Sequence, residues 1–211
     1  MLATQLIALR HGETAWNAEQ RIQGHLDVPL NDTGRWQAQR LGQALLGAGV
    51  QAIYSSDLSR AADTAAPLAL ATGLPAHADV LLRERHFGEW QGSRYPEIEE
   101  RWPQATLAWR RREPDFGPPG GETLADFYAR SVAVYTALCQ RHPGQVVAVF
   151  AHGGLLDCLY RAATHQHLQA PRTWLTANAR INRVLYGGEG FTLVGWNDDG
   201  HLQADESPLP G

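Results

Sequence analysis

Two apolar runs in the 211-residue chain end in a histidine beside glycine: Leu9-Arg10-His11-Gly12-Glu13 after residues 5–9, and Ala151-His152-Gly153-Gly154 after residues 146–150. An imidazole at the carboxyl end of a strand can act as a nucleophile or pass a proton near neutral pH. The glycines let the backbone approach a ligand closely and aim N–H groups at an anion. Arg10 adds a guanidinium beside the first histidine, and Ser55-Ser56-Asp57-Leu58-Ser59-Arg60 brings another just after the apolar residues 52–54. Planar guanidinium forks suit phosphate oxygens, so the expected guest is an oxyanion. Taken singly, these residues say little: Arg60 is by default a solvated helix residue, and Asn17 serves equally well as an amide donor or a helix cap. The two histidines carry weight as a pair, because ligands bind beyond the carboxyl ends of strands in open α/β sheets.

The elements that must position them alternate short β-type runs with longer helical patterns, the order of an α/β fold. The expectation is a three-layer α/β/α sandwich with a mostly parallel central sheet and helices on both faces. Strands are expected at residues 5–9, 52–54, weakly at 76–80, and at 146–150, with a hairpin of 181–186 and 191–196 around Gly187-Gly188-Glu189-Gly190. Thr33 is read as the cap of a helix burying Trp36, Leu41, Ala44, Leu45 and Ala48 and ending at Gly49. A helix over 58–71 is expected to kink or restart at Pro67. Thr123 with Asp126 resembles a capping box before an amphipathic helix carrying Leu124, Phe127, Tyr128, Ser131, Tyr135 and Leu138. A further helix spans 155–163. Residues 81–121 lack strands, hold Trp90, Trp102 and Trp109, and end in Gly117-Pro118-Pro119-Gly120-Gly121; they read as a helical excursion and candidate lid on a single domain, 1–211. The tail from Asp198 onward is polar and reads as loose.

Composition narrows the chemistry. All 18 basic residues are Arg, which excludes mechanisms that need a lysine amine, such as a Walker P-loop or a Schiff base. With 22 acids the formal charge is −4, so no global positive field gathers nucleic acid or an anionic membrane. Cys139 and Cys158 form no Cys-x-x-Cys pair and read as buried free thiols in a reducing compartment. The chain is expected to be cytoplasmic, with no secretory leader and no membrane span. His165-x-His167 lacks a third ligand and reads as a surface turn, so no metal is expected.

The segments Leu9 to Asn17, Gln23-Gly24, Ser55 to Ala65, Leu82 to Gly92, Gly120-Gly121-Glu122-Thr123 and Ala151-His152-Gly153-Gly154 resemble, in order over nearly the whole chain, the histidine phosphatase superfamily, or phosphoglycerate mutase-like fold. The resemblance implies phosphoryl transfer through a phosphohistidine. His11 would be the nucleophile and Glu84 the proton donor. Arg10, Asn17, Arg60 and His152 would form the phosphate pocket, with Gln23, Gly24, Gly153 and Arg85 on the substrate side. Imidazole is nucleophilic once its other nitrogen is held as a donor, whereas a dianionic ester repels attack until fixed cations neutralise its oxygens. One carboxyl group alternating between acid and base serves both half-reactions. No cofactor is implied.

The family includes phosphatases, which admit water to the phosphohistidine, and mutases, which retain a phosphorylated intermediate. Glu84-Arg85-His86-Phe87-Gly88 and Trp109-Arg110-Arg111 look like mutase segments, but the Lys that mutases carry after the Gln-Gly step is missing, with Arg94 only nearby. Gln23-Gly24 and Gly120-Gly121-Glu122-Thr123 look like the small bacterial phosphatases. The expectation is therefore a phosphatase of small phosphate monoesters, with a cofactor-dependent phosphoglycerate mutase as the alternative and a non-catalytic phosphate-binding module after that. The partner is a small phosphorylated metabolite, and tryptophans exposed in the excursion leave a homodimer open. Arg85, His86, Arg94 and the run Arg110 to Arg112 either contact a second anion or are solvated, the latter being the default for the run.

Overall fold

The computed structural model describes residues 2–203. In chain order the strands are β1 (Thr4–Arg10), β2 (Ala52–Ser55), β3 (Ala76–Ala78), β4 (Val146–Ala151), β5 (Ile181–Gly187) and β6 (Gly190–Asp198). The helices are α1 (Ala15–Ala18), α2 (Asp32–Leu45), α3 (Ser59–Thr72), α4 (Tyr95–Arg101), α5 (Pro103–Arg110), α6 (Leu124–Arg141) and α7 (Gly153–Thr164). One six-stranded sheet has the order β3-β2-β4-β1-β5-β6. The four strands from β3 to β1 are parallel, and β5 and β6 run antiparallel at one edge.

Both faces of the sheet are covered because its central strands are apolar throughout, as strands buried on two sides must be. Leu6, Ala8, Val147 and Val149 face α6 and α7 through Phe127, Tyr135, Leu138, Leu155 and Leu159. The alternate residues Ile7, Leu9, Ala148 and Phe150 face α2 and α3 through Leu41, Leu45, Ala65 and Leu68. This is the three-layer sandwich expected from the sequence. Pairing of β1 with β4 puts Arg10 opposite Ala151, so His11 and His152 leave the sheet side by side at the same rim.

Local departures have local causes. Asn31 rather than Thr33 caps α2, its side chain accepting from Gly34 N at 2.8 Å. Leu41 and Leu45 are buried as expected, but Trp36, 47% exposed, and Ala44 face outward, and Gly34, Ala38 and Gly42 complete the buried face. Pro67 neither breaks nor restarts α3, which runs unbroken; the proline ring packs on α2 where Gly42 leaves no room for a side chain. The third strand is only three residues long, and Val80 opens a 3-10 turn. The hairpin strand β6 continues to Asp198, followed by a 3-10 turn at Gly200–Leu202, so residues 198–203 are ordered structure; the rest of the polar tail lies outside the described residues. Cys139 and Cys158 are buried free thiols.

Between β3 and α6 the chain builds a small apolar cluster, to which Ile22 is added from the loop before α2. Ile22, Trp90 and Ile98 are buried there, with Phe87, Trp102, Trp109 and Phe116 packed around them. The tryptophans of this segment therefore serve its own core, with Trp90 only 1% exposed. Arg130 on α6 ties the segment down: it donates to the carbonyls of Leu81 and Arg83 and binds Glu122 with two hydrogen bonds of 2.9 Å.

Candidate active site

The two histidines meet as the strand pairing requires, their ring centroids 5.2 Å apart and both rings buried. His11 Nδ1 lies 2.7 Å from the carbonyl of Gly12. A carbonyl only accepts, so Nδ1 carries the proton and Nε2 keeps its lone pair. Burial, followed by the nearby Arg10 and Arg60 charges, holds the His11 pKa well below 6.5, which favours the neutral ring. His152 is likewise held well below 6.5, by burial and then Arg60 and His11.

Side chains from distant parts of the chain fix this pair. Thr64 on α3 accepts from Gly12 N at 2.9 Å and donates to the Arg60 carbonyl, joining the β1 loop to α3. Asn178 Nδ2 donates to the His11 carbonyl at 2.9 Å and approaches Asn17 Oδ1 at 3.2 Å. Asn17 fulfils the capping role, its Oδ1 accepting from Thr14 N while the Thr14 hydroxyl accepts from Asn17 N; it also lines the cavity.

The two guanidiniums are held by carbonyls. Arg60 is 1% exposed and donates to Gly24 O at 2.8 Å and Leu26 O at 2.9 Å. Burial pulls its pKa down to about 10, and burial lowers that of Arg10 as well. Arg10 donates to Thr176 O at 2.7 Å. Among the described residues each keeps a buried Nε–H without a partner, and both ring nitrogens of His152 and the Gln23 carboxamide oxygen are unpartnered too. Buried polar groups are normally paired, so the unpaired guanidinium and imidazole N–H groups mark a place prepared for a ligand rich in oxygen acceptors.

Arg10, His11, Asn17, Gln23, Gly24, Arg60 and Glu84 line a cavity of about 620 Å³. Gly24 has φ +56°, and a Cβ there would fall 2.2 Å from the Gln91 side chain, so the turn that presents its carbonyl to Arg60 requires glycine. Gly153 opens α7 beside the Arg10 guanidinium, on the wall of an adjoining cavity of about 320 Å³. Glu84 is half-buried where the two cavities meet, and its carboxylate accepts from Gly154 N at 3.0 Å and Arg85 N at 2.9 Å.

Gly154 keeps that position open. A Cβ on Gly154 would lie 2.2 Å from Glu84 Oε1 and 2.9 Å from the Phe127 ring, whereas at Gly153 the nearest atom is at 3.4 Å. Gly154→Ala is expected to cost about 1–3 kcal/mol through this overlap. Thermal unfolding should show a lower Tm for Gly154→Ala than for Gly153→Ala.

Arg85 lies on the wall of the adjoining cavity, with Glu84 and Gly153. It is 2% exposed and donates to Glu122 O and Phe116 O, so it also holds the 81–121 segment together, and it does not line the cavity that holds His11. Of the other basic candidates, Arg94 pairs with Glu19, Arg110 with Glu99, Arg111 with Glu113 and Arg112 with Asp157. His165 and His167 are exposed, and no group of three potential metal ligands occurs among the described residues. No helix among them is long and apolar enough to cross a membrane.

Sequence reasoning missed Tyr95, Arg172, Thr176 and Asn178, which border the site. For Arg172, Thr176 and Asn178 the missing signal was the antiparallel pairing of β5 with β1, which sets Ile181 opposite Leu9 and so returns residues 172–180 to the histidine rim, whereas Tyr95 arrives on α4 of the 81–121 segment.

The model of the histidine phosphatase superfamily (branch 1) matches residues 6–199. Phosphoglycerate mutase-like protein 4 of Arabidopsis thaliana is 39% identical over 202 residues, covering 94% of this chain and 87% of the relative. The metal-independent phosphoserine phosphatase of the same plant is 36% identical over 207 residues, covering 95% and 84%. Among solved structures, native mycobacterial glucosyl-3-phosphoglycerate phosphatase superposes with a TM-score of 0.83 at 35% identity, covering 93% of this chain and 100% of that one. With paired strand-end histidines, two carbonyl-held guanidiniums and this match over nearly its full length, the chain belongs to the histidine phosphatase superfamily.

Proposed function

We propose that the protein is a metal-independent phosphatase that hydrolyses small phosphate monoesters through a phosphohistidine on His11. The observation that carries this reading is the cluster of unpartnered buried donors, Arg10 Nε, Arg60 Nε and His152, around a His11 whose Nδ1 is already committed to Gly12 O. In the first half-reaction His11 Nε2 attacks phosphorus and the ester P–O bond breaks. The guanidiniums and His152 take the charge on the non-bridging oxygens, and Glu84 gives its proton to the departing alcohol. In the second, Glu84 takes a proton from water, the new O–P bond forms, and the N–P bond breaks to release phosphate and free His11. Asn17, Gln23 and Gly24 complete the phosphate side. The segment 81–121 roofs the site, with Phe87 and Tyr95 at the cavity wall.

Hydrolysis is favoured over mutase action by the state of the cations. A mutase must retain a doubly phosphorylated intermediate, whose second phosphate needs several cations, yet Arg110, Arg111 and Arg112 are engaged by neighbouring acids and Arg172 alone on that side has no acidic partner among the described residues. Steady-state hydrolysis of p-nitrophenyl phosphate tests the proposal. The expected result is turnover that survives a chelator and needs no bisphosphoglycerate. Because His11 is held well below 6.5, its nucleophilic free base persists as pH falls, so the acid limb of kcat/KM, corrected for ionisation of the ester, should lie below pH 6.5. Phosphoglycerate interconversion dependent on bisphosphoglycerate would instead establish the mutase. Absence of both activities between pH 5 and 8 would leave a binding module.

A further inference from the structure

Glu84 borders both the cavity that holds His11 and the adjoining one, which fixes the direction of the substrate if Glu84 protonates the leaving oxygen. With phosphorus held at His11, the alcohol must extend past Glu84 toward Tyr95, Phe87 and Trp109. The group that distinguishes one alcohol from another therefore lies on that side.

The cations there are not equivalent. Arg85 spends its fork on Glu122 O and Phe116 O, and Arg112 spends its own on Leu168 O and Asp157. Arg172 has no acidic partner among the described residues, and its only hydrogen bond there is a long one, 3.4 Å, to the Thr176 hydroxyl. It is exposed, yet it lines the cavity that holds His11, the adjoining cavity and a third of about 480 Å³. A guanidinium left without a counter-ion at the junction of three cavities, in a protein with a net charge of −4, is placed to receive one from the ligand.

Resting on the phosphatase reading, we infer that Arg172 is the specificity-determining cation of this site and that it binds a carboxylate carried by the leaving alcohol. The phosphate end is served by two guanidiniums and the His152 ring, which suits a dianion, whereas the alcohol end offers one planar fork without an acidic partner among the described residues, the match for a monoanionic carboxylate. Thr176 links the two ends, since its carbonyl holds Arg10 while its hydroxyl lies beside Arg172. The Arg110 to Arg112 run, the more conspicuous basic feature of the sequence, is not the reader of this group.

The test compares 3-phosphoglycerate with glycerol 3-phosphate, which share a three-carbon skeleton and differ by a carboxylate against a hydroxymethyl group. The wild type is expected to favour the carboxylate by about tenfold or more in kcat/KM, mainly through KM, as one charge-assisted contact would give. Arg172→Gln should bring that ratio toward one, Arg172→Lys should restore part of it, and Arg111→Gln, altering a side chain outside all three cavities, should leave it near the wild-type value. Because Arg172 and Arg111 are exposed, none of these substitutions threatens the fold. A wild-type ratio near one, or a ratio that survives Arg172→Gln, overturns the inference while leaving the phosphatase intact. Failure of the wild type to hydrolyse these esters and p-nitrophenyl phosphate removes the phosphatase reading itself, and this inference with it.

Discussion

His11→Ala is expected to lower kcat/KM for p-nitrophenyl phosphate by roughly 10⁴- to 10⁶-fold, the scale on which a covalent nucleophile is lost. The rest of the pocket would remain. Arg10 and Arg60 are held by Thr176, Gly24 and Leu26 carbonyls, none of which depends on the His11 ring. Residual hydrolysis by water in that preorganised field should therefore still exceed the uncatalysed rate. His152 is the nearest substitute nucleophile, but its ring centroid is 5.2 Å from that of His11 and tilted by 58°, so it points from a different direction at the same phosphorus. Folding should be preserved, because the only hydrogen bond the ring makes among the described residues is to its own neighbour, Gly12. The measurement pairs kinetics with labelling: wild type quenched in alkali after brief exposure to a radiolabelled ester should carry a phosphoramidate, and the variant none. Activity within tenfold of wild type, or label retained in the variant, would reject His11 as the site of covalent attachment.

Much of this arrangement could be read from residue order, and the limit of that reading has a physical basis. The histidines were legible because each ends a continuous apolar run, and two parallel neighbours must deliver their carboxyl ends to one rim. α6 was legible because Leu124, Phe127, Ser131, Tyr135 and Leu138 keep helical spacing and all are buried. Local signals failed where a tertiary contact decides the outcome. Pro67 reads as a break until Gly42 of a separate helix is seen to seat its ring. Arg85 and Arg172 are equally basic in sequence. Only the folding of the segment 81–121 consumes the first, and only the antiparallel return of β5 beside β1 brings the loop before it, with the second, to the site.

Glu84→Gln should separate the two half-reactions. A nitrophenolate leaves without needing a proton, so formation of the phosphoenzyme from p-nitrophenyl phosphate should slow little, while its hydrolysis loses the base that activates water. Phosphoenzyme should accumulate, seen as a burst of nitrophenol close to one equivalent followed by a slow steady state. For an alkyl ester both steps need the carboxyl group, and the loss in kcat should reach about 10²- to 10⁴-fold, the range of a positioned acid–base residue. The substitution is not geometrically neutral. Glu84 accepts one backbone N–H on each oxygen, from Arg85 and from Gly154. A carboxamide can accept only one of them and must turn its NH₂ toward the other donor. Glu84→Asp supplies the control, since it keeps two acceptors while withdrawing them by one methylene, and it should recover part of the alkyl-ester rate if proton transfer is the function lost. Equal losses on both esters in Glu84→Gln, with no burst, would mean that the carboxylate only positions α7 and that the proton comes from another group.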